Sequence, residues 1–240
     1  MIAEDLIKET YEFSSQIDNI KFSGKVAYVY NPLNYARLPH QMYLRKWANS
    51  KKKVLFMGMN PGPFGMAQTG VPFGEINLVK DWIGVYDIVE KPDKEHPKKP
   101  IEGFQCSRSE VSGKRLWGFF KNKFGSANIF FKNHFVLNYC PLLFLEACGR
   151  NLTPDKLSKS QSRVLYNLCD EYLRYVVKKL EIEFLIAIGC FAENQAINAL
   201  KSYPSISVIR ILHPSPASPL ANKNWESKAL LTLQESGIMR

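Results

Sequence analysis

Short continuous runs of apolar residues occur four times along the chain. They are rich in β-branched and large apolar side chains, show no alternation with polar positions, and are too short to be core helices. They cover residues 54–57, 135–137, 184–188 and 208–212. Strands that are apolar at every position are typical of a parallel sheet with both faces covered. The pattern therefore predicts four parallel strands packed between helices.

Segments with a helical period of apolar positions lie before, between and after these runs. They cover residues 2–17, about 75–84, 113–123, 160–180, 190–202 and 224–236. The inward positions are predicted to be Val164, Leu168, Tyr172, Tyr175, Val176 and Leu180 in the fourth segment, and Trp225, Leu230 and Leu233 in the last. The alternation predicts an α/β fold with three layers, α/β/α, in one domain over residues 1–240. The charged, proline-containing residues 90–100 are predicted to form a surface loop.

Loops rich in glycine and proline follow the first and the fourth predicted strand. Residues 58–65 read GMNPGPFG, and residues 213–219 read HPSPASP. Because α/β folds bind ligands at the carboxyl ends of parallel strands, Asn60 and His213 are expected to converge at one edge of the sheet, with Asn138 from the second strand. Each residue alone also fits a structural role, as the start of a turn, a loop histidine or a cap.

Charge and cysteine content narrow the class of protein. The 240 residues include 32 Lys and Arg against 22 Asp and Glu, a formal charge of +10. This surplus favours a polyanionic partner such as nucleic acid, although a basic protein need not bind one. The five cysteines form no C-x-x-C pair, which predicts a reduced intracellular protein. The expected compartment is the cytoplasm if the source is bacterial and the nucleus if it is eukaryotic. The same cysteine pattern argues against a metal site, and we expect no metal and no cofactor. We also expect no membrane contact, since no apolar stretch is long enough to span a bilayer.

The loop after the first strand carries the most specific sequence signal. Residues 58–75, GMNPGPFGMAQTGVPFGE, resemble the signature of the single-strand-selective monofunctional uracil-DNA glycosylases, and residues 213–216, HPSP, resemble that family's second catalytic motif. Further similar stretches are residues 138–142, 149–154 and 221–226. The resemblance covers the chain from about residue 50 to its end. It implies a uracil-DNA glycosylase fold and a DNA-repair enzyme that cleaves the glycosidic bond of uracil-type bases.

The resemblance also implies roles for individual residues. Asn60 corresponds to the residue that holds the catalytic water, and His213 to the residue that stabilises the departing base. The implied substrate-binding residues are Gly58, Met59, Gly62, Met66, Phe73 and Asn138. Among them, Phe73 would stack on the base, Asn138 would read the pyrimidine edge, and Gly62 and Met66 would line the C5 side of the pocket.

These side chains fit the chemistry of glycosidic cleavage. An amide is too weak a base at neutral pH to deprotonate water, so Asn60 would orient it. His213 would donate a hydrogen bond to O2 of the leaving base as negative charge develops there. Because a flipped amide would suit cytosine as well as uracil, discrimination requires neighbours that lock Asn138. Glycine at position 62 leaves space near C5, so 5-hydroxymethyluracil is expected to fit.

DNA contacts are expected where the resemblance places a wedge that fills the hole left by the flipped base. The wedge covers residues 215–223, and the expected DNA-binding residues are Arg150, Ser215, Pro216, Ala217, Ser218 and Lys223. Vertebrate members carry a basic residue where this chain has Ala217. Further candidates for phosphate contacts are Lys51, Lys52, Lys53 and Lys228. The expected partner is DNA containing uracil or oxidised pyrimidines, bound by a monomer.

Two other functions stay open from the sequence. The first is a related glycosylase acting on mismatched thymine or deaminated purines. The second is a catalytically inert module that senses lesions in DNA, which the presence of both Asn60 and His213 argues against. No carboxylate pair of the glycosidase type is evident near the strand ends. The segment Ser112-Gly113-Lys114-Arg115 resembles a phosphate-binding loop only weakly, because its first glycine is missing.

Overall fold

The computed structural model describes residues 1–219 and 221–239. The strands are β1 Tyr28–Tyr30, β2 Val54–Gly58, β3 His134–Asn138, β4 Leu143–Leu145, β5 Asn151–Leu152, β6 Phe184–Ile188 and β7 Ser207–Ile211. The α-helices are α1 Ile2–Asp18, α2 Pro32–Tyr35, α3 Arg37–Trp47, α4 Met66–Thr69, α5 Val111–Phe124, α6 Ala127–Asn133, α7 Lys159–Leu180, α8 Cys190–Ala199 and α9 Trp225–Glu235. A π-helical turn spans Leu78–Ile83, and 3₁₀ turns span Gly103–Gln105 and Pro154–Lys156.

The four predicted strands form one parallel sheet in the order β3-β2-β6-β7. The predicted fold class, α/β with a four-stranded parallel sheet, is therefore confirmed. β2 and β3 are buried at every position, as a sheet covered on both faces requires. β7 lies at the edge of the sheet and is partly exposed. The register pairs Gly58 with Asn138, so β2 and β3 end side by side.

Helices α1, α5, α7, α8 and α9 lie where the helical period predicts them, whereas α3 was not predicted and two details of the prediction are wrong. In α7, Val164 is 51% exposed and the buried stripe includes Leu165, Cys169 and Leu173. Positions 164 and 168 and positions 165 and 169 both fit a helical period, and Cys169 packs as a small apolar residue. Within the predicted helix 75–84, a π-helical turn over Leu78–Ile83 forms in place of an α-helix.

Several short elements were not predicted. β1, β4 and β5 form a second, antiparallel sheet in the order β1-β4-β5. Strands of two or three residues are too short to show a period of two, which explains why the sequence pattern missed them. This sheet matters for the site, because β5 places Asn151 on the wall of the cavity that follows the parallel strands.

All five cysteines are free in the structure. Cys106, Cys140 and Cys169 are buried and pack as small apolar side chains, whereas Cys148 and Cys190 are exposed. Across residues 1–219 and 221–239, the longest helices are too polar or too short to cross a bilayer.

Candidate active site

The loops that follow β2, β3 and β7 enclose a cavity of about 470 Å³. It lies at the carboxyl edge of the parallel sheet, where the sequence placed the ligand. The cavity brings together these predicted residues: Met59, Asn60, Gly62, Met66, Phe73, Asn138, His213, Ser215 and Pro216. Gly58 lies beneath the cavity, in contact with Phe73 and Asn138. The convergence expected for Asn60, Asn138 and His213 is therefore present.

The amide of Asn60 is held in one orientation by the backbone. Its Nδ2 donates to the carbonyl oxygen of Leu142 at 3.1 Å. Since the nitrogen is used in this way, Oδ1 is the end of the amide that can accept a hydrogen bond inside the cavity. This is the orientation required to hold a water molecule by one of its protons.

The imidazole of His213 is neutral and oriented by its own loop. The backbone N–H of Ser215 donates to Nδ1 at 3.1 Å. A neutral imidazole that accepts at Nδ1 carries its proton on Nε2, which is then free to donate. Burial lowers the pKa of His213 to about 4, because the charged form loses its hydration. At neutral pH the cavity therefore holds an N–H donor and no imidazolium charge.

The protonation state of His213 is directly testable by NMR of the imidazole nitrogens. We expect His213 to stay neutral from pH 8 down to about pH 5, with its proton on Nε2, because burial lowers its pKa to about 4. His40 is an internal control: burial lowers its pKa to about 4 as well, but its Nδ1 lies 2.7 Å from the Gly70 carbonyl and must donate. Long-range ¹⁵N–¹H spectra, assigned with His213→Gln, should show opposite tautomers. A midpoint near 6.5 for His213 would contradict this.

Phe73 occupies a strained position beside His213. Its φ is +55°, a left-handed conformation that bulky side chains rarely adopt and that costs about 1–3 kcal/mol. The two rings lie 6.1 Å apart between centroids. A Cβ on Gly58 would come within 2.5 Å of the Phe73 ring, and a Cβ on Gly113 would overlap the Phe73 backbone oxygen. Both glycines therefore permit the close packing that holds this ring in the cavity.

Asn138 has a neighbour that distinguishes the two ends of its amide. The side chain is 5% exposed, and Nδ2 donates to the thioether sulfur of Met66 at 3.3 Å. A flipped amide would place its oxygen against this sulfur and lose the hydrogen bond. Met66 thus favours the amide orientation with Nδ2 on its side.

The space next to Gly62 is filled by Glu110, which the sequence reasoning did not place in the site. An ideal Cβ on Gly62 would lie 2.5 Å from Oε2 of Glu110. Glu110 is the N-cap of α5, where Oε1 accepts from the Ser112 N–H at 3.2 Å. Burial raises the pKa of this carboxyl group. The room that the missing side chain at position 62 was expected to leave is therefore occupied by a carboxyl group.

Arg115 is a second residue that the sequence reasoning missed. Its guanidinium donates to the carbonyl of Pro214 at 2.9 Å and to Oδ1 of Asn222 at 3.1 Å. Asn222 in turn donates to the carbonyl of Pro216 at 2.8 Å. These bonds join α5 to the predicted wedge. A weak likeness to a phosphate-binding loop was the only local signal, and it pointed to a different role.

The predicted DNA-binding residues are spread over several environments. Ser215 and Pro216 line the cavity, whereas Ala217, Ser218 and Lys223 do not. The Ser215 hydroxyl accepts from the Ala217 N–H at 3.2 Å, which fixes the turn. The guanidinium of Arg150 is exposed but forms a bidentate pair with Glu146, at 2.7 and 2.9 Å. Leu220, inside the predicted wedge, lies outside the described residues.

The lysines at positions 51–53 do not fit a phosphate-binding role at this site. Lys52 is 3% exposed and donates to the Phe131 carbonyl at 2.6 Å, so the interpretation of Lys52 as a phosphate contact is wrong. Lys51 pairs with Glu181, and Lys53 pairs with Glu183. All three precede β2, at the end of the sheet opposite to the cavity. The described residues include no group of three or more metal-ligating side chains.

Comparisons with known proteins point to one family. The model of the uracil DNA glycosylase superfamily matches residues 46–234. The chain is 46% identical, over 239 residues, to the single-strand selective monofunctional uracil-DNA glycosylases of Rattus norvegicus, Mus musculus and Bos taurus. These alignments cover 99% of this chain and 86–88% of the three relatives.

A solved structure has the same fold. The crystal structure of wild-type SMUG2 of Pedobacter heparinus superposes with a TM-score of 0.61 at 17% sequence identity. The superposition covers 95% of this chain and 94% of that one. At this level of identity the likeness supports the fold.

Proposed function

The chain belongs to the uracil-DNA glycosylase superfamily and is a monofunctional uracil-DNA glycosylase, and on this premise we propose that Asn60 and His213 carry out the hydrolysis. The observation that carries the proposal is the complementary orientation of these two side chains. Oδ1 of Asn60 can accept and Nε2 of His213 can donate, because backbone groups occupy the other end of each side chain.

The proposed reaction is hydrolysis of the bond between C1′ of the sugar and N1 of the base. As that bond breaks, its electron pair goes to the base, and the sugar becomes an oxocarbenium-like cation. His213 Nε2–H donates to O2 of the base, where part of the negative charge collects. A water oriented by Asn60 adds to C1′ and loses a proton to solvent, the base is protonated, and an abasic site remains.

Selection of the base is proposed to rest on Asn138, Met66 and Phe73. Phe73 offers its ring for stacking. Asn138 accepts from N3–H of uracil and donates to O4, and the Met66 sulfur opposes the flipped amide that cytosine needs. The carboxyl group of Glu110 lines the cavity beside Gly62, the position that the resemblance places at the C5 side of the base, and would suit the hydroxyl group of 5-hydroxymethyluracil. We propose that oxidised uracils are substrates for this reason.

Base flipping is proposed to use the loop after His213. Hydrogen bonds from Arg115 and Asn222 stiffen this loop and would hold it in the duplex in place of the base. Ala217 has too short a side chain to fill the gap alone. We therefore propose that the stiff backbone of Ser215, Pro216 and Ala217 inserts as a unit, acting in a monomer on single- or double-stranded DNA.

The function is tested by incubating the protein with labelled oligonucleotides that contain uracil, 5-hydroxymethyluracil, mismatched thymine or hypoxanthine. We expect strand breaks at uracil and 5-hydroxymethyluracil only after alkali, because hydrolysis leaves an intact abasic site. The described residues that line the cavity include no lysine able to form a Schiff base, so breaks without alkali are not expected. Absence of alkali-labile sites in every uracil substrate would refute the proposal, and activity on thymine or hypoxanthine alone would replace it.

A further inference from the structure

A second concave surface adjoins the catalytic cavity. It is a groove of about 800 Å³, and its lining includes residues 97–100, Arg108 and residues 148–150. Phe64 lines both this groove and the catalytic cavity. We call this surface the Phe64 groove. A chain leaving the catalytic cavity on this side would enter it directly.

The Phe64 groove is positively charged by side chains without ion-pair partners. Among the described residues, no carboxylate lies within ion-pair distance of Lys98, Lys99 or Arg108. Lys99 Nζ lies 4.6 Å and Arg108 Cζ 4.9 Å from the centre of the Phe64 ring. Glu102 is the acidic member of the lining, and the charge of Arg150 is neutralised by Glu146. Two free cations beside one aromatic ring, with Lys98 as a third in the same groove, favour an anionic ligand.

The two lysines lie in the segment 90–100, which is a surface loop as predicted, and hydrogen bonds hold its backbone in place. The buried Tyr30 hydroxyl donates to the Lys99 carbonyl at 2.8 Å and accepts from the His96 N–H at 2.6 Å. The His96 ring accepts from the Lys98 N–H at 3.0 Å and bonds the Ala147 carbonyl at 3.0 Å. Because the backbone is ordered before any ligand arrives, binding costs less conformational entropy here than on a mobile loop.

We propose that the Phe64 groove binds the backbone phosphates of the DNA strand that carries the target base, on one side of that base. The inference rests on the proposed function, because it assumes that the base occupies the adjoining cavity. Cations arranged around an aromatic ring are the usual means of holding a nucleic-acid strand without reading its sequence. Ser215 and Pro216 of the predicted wedge line the cavity but not the Phe64 groove, so the two surfaces would hold different parts of the DNA.

The test measures binding of fluorescein-labelled single strands that carry a tetrahydrofuran abasic analogue with flanking nucleotides on its 5′ side only, on its 3′ side only, or on both. Wild-type protein should gain affinity mainly from the flank that enters the groove. The triple variant K98Q/K99Q/R108Q should lose about tenfold or more of that gain at moderate salt. The slope of log affinity against log salt should fall by about 2, from three contacts at about 0.7 each.

The matched control is K121Q/K123Q/K201Q, which removes the same charge from exposed lysines that line neither surface. Its affinity for all three strands should change less than threefold, and its rate of uracil excision should equal that of wild type. Equal losses in both triple variants, or a groove variant that keeps the flank-dependent gain, would overturn the proposal. Uracil excision by wild type is scored separately, so a failed groove and a failed glycosylase assignment give different results. Thermal unfolding of both variants reports whether they fold.

Discussion

Replacing His213 by alanine is expected to slow uracil excision by roughly 10²–10³-fold when all substrate is bound. The variant loses the N–H donor that faces the base, and losing one preorganised donor of this kind costs about 2.7–4 kcal/mol of barrier. The donor is effective because the Ser215 N–H fixes its tautomer and because the ring is largely buried. The measurement is the single-turnover rate on a uracil oligonucleotide.

His213→Gln is the matched variant for this experiment. Its side-chain amide keeps an N–H donor of similar reach but lacks the ring that Ser215 orients, so it should recover part of the lost rate. Binding of an abasic-analogue strand should change little in either variant, because the bonds of Arg115 hold the loop independently of the imidazole. A His213→Ala rate within threefold of wild type would remove His213 from the mechanism.

The sequence predicted the parts of the site that depend on strand ends. Continuous apolar runs located β2, β3, β6 and β7, and parallel strands bring their carboxyl ends to one edge whatever the details of packing. Asn60, Asn138 and His213 follow such ends directly, so their convergence could be foreseen from topology. The hydrogen bonds of Asn60 to Leu142 and of Asn138 to Met66 could not be foreseen. Loops bring these partners close, and a sequence period does not predict the path of a loop.

Two of the residues that sequence reasoning missed belong to a helix outside the sheet and to the residue before it. Glu110 directly precedes α5, and Arg115 lies within it. This helix comes before β3 in the chain, and its position relative to the site depends on packing. A carboxylate just before a helix is expected to be an N-cap, and Glu110 does cap α5. Its second contact, with Gly62, therefore has no signature of its own in the sequence. For the same reason, glycine at position 62 suggested open space where the structure has a side chain.

The close contact between α5 and the Phe73 loop leads to the second large expected effect. Gly113→Ala is expected to destabilise the protein by roughly 3 kcal/mol, at the upper end for an overpacked core, and to abolish most excision activity. The new Cβ would overlap the backbone oxygen of Phe73, which cannot move aside as a flexible side chain could. Phe73 already has a strained φ of +55°, so the displaced loop would lose the ring position that stacking requires. Denaturant unfolding and single-turnover rates measure the two effects.

Gly118→Ala on the same helix is the control, because a Cβ there meets nothing within 4 Å. Alanine is favoured over glycine inside a helix by about 0.8–1.0 kcal/mol, so this variant should be slightly more stable than wild type and fully active. The two substitutions are chemically identical and lie five residues apart on the same helix, so helix propensity cannot explain a difference between them. If Gly113→Ala were as stable and active as Gly118→Ala, the packing of α5 against Phe73 would not position the ring. The expected opposite signs would instead show that the site depends on this helix as much as on the strand ends.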